Sequence, residues 1–216
     1  MKLRSTLLWA GLALALSPAA ALAHPHVFVE ANLEVVRDKA GAVTELRHVW
    51  RFDELFSSTV MLDFDADGDG KLSPEELDEV SSVVTESIGE FNFYTELRLD
   101  SKPQEFIGPQ KIMVDYVDGQ VLMFFAATMK SPLEVANRDF RVSVSDPTYY
   151  VAMEIADESA VQISGDGAKC SAAVQRPDFD KLYSQNSQTL TEQFFADPAR
   201  ASLGDAWLTW VIFQCD

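Results

Sequence analysis

The chain of 216 residues holds 17 basic and 34 acidic residues, a formal net charge of −17, and two cysteines. Its length suffices for one domain with a sizeable core. Its acidic surface excludes partners held by phosphate charge, nucleic acid and anionic lipid alike, and attracts cations instead.

Lys2 and Arg4 open the chain, an apolar run covers Leu7 to Leu16, and Ala21-Leu22-Ala23 is a small-x-small cleavage site. Residues 1–23 are therefore expected to be a secretory signal peptide, with an apolar stretch too short to span a bilayer. Cleavage after Ala23 leaves 216 − 23 = 193 residues, a single exported domain over 24–216. The leader takes two basic residues with it, so the mature balance is 15 against 34, a net charge of −19. No later run approaches spanning length, so direct insertion in a membrane is not expected; Val121 to Met129, the longest, suits a buried strand. Two cysteines in an exported chain predict a disulfide between Cys170 and Cys215, since they lack the close spacing of a redox or metal thiol pair.

The mature chain opens with strand-like text from His26 to Val36 and from Val43 to Phe52, joined by Asp38-Lys39-Ala40-Gly41 as a hairpin. The period then changes: Phe52, Leu55, Phe56, Val60, Met61 and Phe64 share one helical face. Leu77, Val80, Val83, Val84, Ile88 and Phe91 share another. Strands return over Tyr94–Leu99, Phe106–Val117, Val121–Met129, Phe140–Val144, Tyr149–Ile155 and Val161–Ile163, with Asp118-Gly119 as a tight turn. Helical text over Phe179–Phe195 and Leu203–Phe213 ends the chain. The expected fold is α+β, mainly an antiparallel β sandwich, with a helix–loop–helix inserted at 53–91 and helices at the C-terminus.

The segment Asp65 to Glu76 fits an EF-hand calcium loop at every ligand position. Asp65, Asp67 and Asp69 supply carboxylates at positions 1, 3 and 5, and Gly70 permits the turn at position 6. Lys71 offers its backbone carbonyl, Ser73 coordinates directly or through water, and Glu76 closes the site with two oxygens. Ser73 and Pro74 also suit the first positions of the second helix, and Ser73 and Glu76 have capping-box spacing. Glu76 would then be claimed by both the cap and the ion, with the cation expected to prevail. Hard oxygen ligands favour calcium. A lone loop outside the cytoplasm points to weak affinity, about 10⁻⁴ to 10⁻³ M, and to a structural clasp rather than a sensor.

The three histidines, His24, His26 and His48, lie near the mature N-terminus. After cleavage, the free amine and ring of His24 could grip copper, nickel or zinc as a histidine brace. His26 occupies the third position of an amino-terminal copper/nickel motif, but Pro25 lacks the amide hydrogen that motif requires. A hairpin closed over 38–41 sets Arg37 against Ala42, His26 against Asp53 and His48 against Ala31. His48 then lies about 16 Å, or five residues, from the others. The candidate transition-metal ligands are therefore His24, His26 and Asp53.

His24-Pro25-His26-Val27-Phe28-Val29, Trp50-Arg51-Phe52-Asp53-Glu54-Leu55-Phe56, the acidic loop, Asp146-Pro147-Thr148-Tyr149-Tyr150 and a cysteine near Arg176-Pro177-Asp178 occur in an order that resembles domain-of-unknown-function family 1007. The resemblance spans nearly the whole mature chain. It implies a periplasmic component that accompanies nickel/cobalt exporters of the NicO type, with a separate membrane transporter as partner because this chain carries no transporter helices. It brings no catalytic residues, and no enzymatic activity is expected. The leading expectation is a calcium-binding accessory that passes a transition metal to a transporter. The alternatives are a structural or interaction module whose only ion is calcium, and a copper enzyme built on His24.

Overall fold

Alternating apolar and polar residues build the first two strands of the computed structural model, which describes residues 25–167, 169–186 and 207–216. These are β1 (Val27–Arg37) and β2 (Val43–Phe52), each burying every second side chain along most of its length, as one face of a sheet on a core requires. Asp38 closes the hairpin: its Oδ1 accepts from the N–H groups of Ala40 (2.9 Å) and Ala42 (3.0 Å), an Asx-type turn. Two helices follow, α1 (Glu54–Phe64) and α2 (Pro74–Gly89). The chain then forms β3 (Thr95–Leu99), β4 (Lys102–Pro103), β5 (Phe106–Ile107), β6 (Met113–Val117), β7 (Gln120–Leu133) and β8 (Phe140–Val144). After these come β9 (Val151–Glu154), β10 (Val161–Gly165), β11 (Cys170–Gln175), a short α3 (Phe179–Asn186) and β12 (Trp210–Cys215).

The strands form two sheets. In the seven-stranded sheet β1, β2 and β7 lie side by side and antiparallel. β5 and β6 share the far edge of β7, while β9 and β10 share the other edge of β1 and run parallel to it. The five-stranded sheet, in the order β11-β12-β8-β3-β4, is antiparallel throughout. Both sheets feed one cluster of buried side chains, Leu46, Trp50 and Phe125 from the first and Leu97, Phe140 and Phe213 from the second. Val60 of α1 and Val80 and Ile88 of α2 join it. The protein is α+β, with mostly antiparallel strands in two sheets and few helices. Among the described residues no helix is long and apolar enough to cross a membrane.

A disulfide joins Cys170 of β11 to Cys215 of β12 at directly paired positions, with Cα atoms 4.0 Å apart. In the larger sheet β10 presses on β1 where the hairpin register shifts, between Val36 and Arg37. Gly165, paired with Arg37 and held at φ +92°, has no room for a side chain there: a Cβ would strike the Arg37 carbonyl oxygen.

The C-terminus differs from the helices expected. The helix read over 179–195 is described only as α3, and its remainder lies outside the described residues. The helix read over 203–213 is, from Trp210 on, the strand β12. Trp210-Val211-Ile212-Phe213 is rich in β-branched and aromatic residues, and a short apolar run does not distinguish strand from helix by period alone. Its central place between β11 and β8 decides for strand. The single strand read over 106–117 is two strands, divided around Pro109, which has no N–H to give a ladder. Leu55, assigned to the buried face of α1, is 77% exposed; Phe56, Val60 and Phe64 make the inward contacts.

Candidate metal centre

The turn between α1 and α2 is built by its own backbone. Asp65 caps the C-terminus of α1, and its N–H reaches Met61 O at 3.0 Å. Gly68 and Gly70 take φ of +72° and +77°, a region nearly closed to other residues. That curl turns successive N–H groups inward. Asp65 Oδ1 accepts from Gly68 (2.8 Å) and Asp69 (3.1 Å), and Oδ2 from Gly70 (2.8 Å). Asp67 Oδ1 accepts from Asp69 N–H at 3.1 Å, and Asp69 Oδ1 from Lys71 N–H at 2.8 Å.

At the start of α2, Ser73 Oγ accepts from Glu76 N–H (3.3 Å) and Glu76 Oε2 from Ser73 N–H (2.8 Å), a complete capping box. Glu76 Oε1 also takes the Ala66 N–H at 2.7 Å, which ties the two ends of the turn together. Ligand atoms of Asp65, Asp67 and Glu76 all lie within 4.8 Å of one another.

This donor set fits a hard divalent cation. A carboxylate offers about four lone-pair directions, so each Glu76 oxygen, accepting one N–H, keeps capacity for an ion. The capping box thus leaves acceptor capacity on both Glu76 oxygens. The Gly70 N–H leads the contacts that hold the Asp65 carboxyl below its ordinary pKa, and the Ser73 N–H leads those that lower Glu76. Both groups stay ionised into acid. Asp69, Lys71 and Ser73 lie in the same turn, outside the three-carboxylate group.

The other predicted ligands fall differently. His24 lies outside the described residues. His26 is exposed, and strand alternation puts it on the same outward side as Phe28 and Glu30. Its N–H and that of Val27 both donate to Tyr150 O, at 2.9 and 3.3 Å, and its ring lies 4.8 Å from the Tyr150 ring. The turn that presents Tyr150 is fixed by the buried carboxylate of Asp146. That group accepts from Thr148 N–H (2.8 Å) and Oγ1 (2.7 Å) through one oxygen and from Val151 N–H (2.9 Å) through the other. His26 and Tyr150, far apart in the chain, thus share one surface, which nothing in the local text of either discloses.

Asp53 faces Phe28, not His26. The hairpin slips by two residues from the register expected, because the turn takes up extra residues and the ladder shifts beside Arg37. Asp53 Oδ2 accepts from Phe28 N–H at 2.8 Å and Oδ1 from Phe56 N–H at 2.9 Å, so its carboxylate caps α1 and clasps β1. His48 pairs with Leu33 rather than Ala31 and points into the core, 1% exposed. It stacks on Phe125 at 4.5 Å and meets Trp50 edge-on. Neither ring nitrogen has a hydrogen-bond partner, and burial pushes its pKa down to about 3.

Beside the outward side of β1 lies a cleft of about 460 Å³ lined by Phe28, Glu30, Arg51, Asp53, Glu54 and Glu154 among others. Its four carboxylates outnumber its single cation. Sequence reading missed it because Glu30 and Glu154 meet only through the parallel pairing of β1 and β9. A larger groove, about 570 Å³, crosses the same sheet over apolar residues such as Val49, Met113 and Phe124 and gathers no comparable set of ligands.

Fold and turn together define an α+β protein of two mostly antiparallel sheets with an acidic turn, suited to a hard cation, between two helices. The chain belongs to the family described as Protein of unknown function (DUF1007), whose model matches residues 9–215. It is similar to an uncharacterized protein of Haemophilus influenzae, 25% identical over 200 residues that cover 90% of this chain and 92% of the relative. It is also similar to an uncharacterized 15.5 kDa protein in the trpE 3′ region of Spirochaeta aurantia, 26% identical over 117 residues, 54% of this chain and 83% of that one.

Proposed function

We propose that this protein is an exported, calcium-binding accessory that holds a transition metal (zinc, nickel or copper) for a membrane metal transporter. In this reading the 65–76 turn is an EF-hand loop inserted in a β sandwich, and calcium serves as a clasp that fixes α1 against α2. Support for the calcium half comes from the convergence of Asp65, Asp67 and Glu76. The observation that carries the metal-handling half is the placement of His26, exposed and braced by Tyr150, on the same side of β1 as the acidic cleft. Carboxylates there raise the local concentration of cations, and imidazole supplies the borderline ligand that zinc, nickel and copper prefer over hard ions.

A second reading, a structural or interaction module whose only ion is calcium, draws support from Asp53. The register sets it against Phe28 rather than His26, with its carboxylate turned to the Phe28 and Phe56 N–H groups. One experiment separates the two. The protein cleaved after Ala23 is purified, its metals are measured, and zinc, nickel and copper are titrated into it and into the His24→Ala and His26→Ala variants. Binding that weakens at least about tenfold in either variant, the smallest loss usual even for an outer-shell partner of a metal, supports the accessory reading. Binding of calcium alone, abolished by Glu76→Gln, supports the second. Copper-dependent oxidation of an added reductant would instead revive an enzyme built on His24.

A further inference from the structure

The acidic turn and the histidine end are not independent in this fold. α1 is 11 residues long, about 16 Å at the ordinary helical rise. One end is Asp65, first ligand of the calcium turn; the other is the cap residue Asp53. Asp53 also exchanges two hydrogen bonds with Phe28, two residues from His26: Phe28 N–H donates to Asp53 Oδ2 (2.8 Å), and Asp53 N–H donates to Phe28 O (2.9 Å). The capped end is pinned to the sheet by Ser57, fully buried, whose hydroxyl donates to Asp53 O (2.7 Å) and accepts from Val121 N–H (2.9 Å). A single short helix therefore runs from the ion turn to the backbone that positions His26.

We propose that calcium in the 65–76 turn tightens the Asp53–Phe28 clasp through α1, and so sets the order of the histidine-bearing start of β1. This coupling rests on the calcium reading of the turn and adds regulation to the proposed metal-handling site. The physical cause is charge. Without a cation, the carboxylates of Asp65, Asp67 and Glu76 repel one another and load the C-terminal end of α1. A bound cation removes that load and holds Asp65 in place. One way to open the clasp is for the first turn of α1 to shift or unwind, and a helix fixed at its far end resists both. Linkage is reciprocal, so a ligand that orders His26 must raise calcium affinity by the same factor.

The chemistry of Asp53 supplies a selective test in Asp53→Asn. The introduced amide keeps an oxygen for the Phe56 N–H, and asparagine is as good a helix cap as aspartate. Its second group is an amide donor, which cannot accept from Phe28 N–H. Asp53→Asn therefore cuts the side-chain half of the clasp, the bond that holds the Phe28 N–H, while the Asp53 N–H to Phe28 O bond and the cap remain. The readout is hydrogen exchange of the Phe28 amide, followed by NMR on the leader-cleaved protein with and without calcium at about 10 mM, above the range of weak extracellular sites. The thermal midpoint is measured alongside. In the wild type, calcium should slow Phe28 exchange about tenfold, within the usual range of coupling between sites. In Asp53→Asn the amide should exchange faster and ignore calcium, while calcium still raises the midpoint.

Glu76→Gln, altered only at the turn, should lose the calcium effect on both and serves as control if Asp53→Asn folds poorly. A wild-type midpoint raised by calcium with unchanged Phe28 exchange overturns the coupling and leaves the calcium turn standing. A calcium response of Phe28 that survives in Asp53→Asn overturns the route through Asp53. Loss of both calcium effects in the wild type overturns the turn assignment itself, and this coupling with it. Zinc binding plays no part in the readout, so failure of the histidine site would be seen separately.

Discussion

Replacing His48 by phenylalanine isolates what one buried ring contributes to acid sensitivity. The imidazole is 1% exposed, stacked on Phe125, with neither nitrogen partnered, and burial lowers its pKa from 6.5 to about 3. The folded state thus holds the ring neutral, while the unfolded chain protonates it near pH 6.5. The folded pKa is the lower of the two, so protons favour the unfolded state. Stability from this source is complete above pH 6.5 and declines between pH 6.5 and 3. Each pH unit inside that window costs about 1.4 kcal/mol. Between about pH 7 and pH 4.5 the wild type should lose about 2 to 3 kcal/mol through His48 alone.

Phenylalanine keeps the stack on Phe125 and cannot titrate. Its slightly larger ring adds about 1 kcal/mol or more of crowding, offset by removing two unsatisfied buried nitrogens. The difference at neutral pH is therefore small, and its change with pH is the measurement. Urea unfolding of both proteins is followed across the window in the same calcium buffer. The carboxylates, those of the acidic turn included, are common to both and cancel. The wild type should fall behind His48→Phe by about 2 to 3 kcal/mol near pH 4.5, at unchanged m-value. Parallel stability curves would refute the account, and would mean that the ring finds a proton acceptor or water in the folded state.

Three further outcomes follow from the same geometry. Gly165→Ala should destabilise the protein by about 1 to 3 kcal/mol, read as a lower urea midpoint, because the residue is held at φ +92° and a Cβ would strike the Arg37 carbonyl oxygen. Replacing Cys170 and Cys215 together by serine should cost about 4 kcal/mol, since the bridge spans a sequence separation of 45 and that loop length sets the chain-entropy estimate; thermal unfolding with and without reductant checks it. Calcium at about one hundred times its dissociation constant should raise the unfolding free energy by about 2.7 kcal/mol, and Glu76→Gln should remove that gain.

What the sequence discloses depends on how far apart the cooperating residues lie. The acidic turn is legible because Asp65 and Glu76 are close in the chain and glycines at fixed offsets dictate the curl between them. Its cap is legible for the same reason: Ser73, Pro74 and Glu76 act within one turn of helix. Strands such as Phe140–Val144 and Val43–Phe52 show in their residue types and period. The final strand does not, because Trp210-Val211-Ile212-Phe213 is apolar throughout and acquires its state from β8 and β11, which lie well back along the chain. The hairpin illustrates how small an error matters. A slip of two residues preserves every inward and outward side, so the alternation of β1 and β2 cannot detect it, yet it moves the partner of Asp53 from His26 to Phe28.

Asp53 carries the larger lesson about such sites. By residue type, an aspartate opposite a histidine reads as a ligand; the structure makes it the cap of α1. Both roles need carboxylate oxygens, and the register decides between them: paired with Phe28, the side chain has a backbone N–H on each oxygen. Lone pairs remain on it, as on Glu76, but the carboxylate is tied to Phe28 and Phe56 instead of being set against His26. These two bonds make Asp53 a joint between α1 and β1. In the metal-handling reading, a transition metal at His26 would draw its further ligands from His24 or from Glu30 and Glu154 of the cleft, and the titrations of His24→Ala and His26→Ala test the first source.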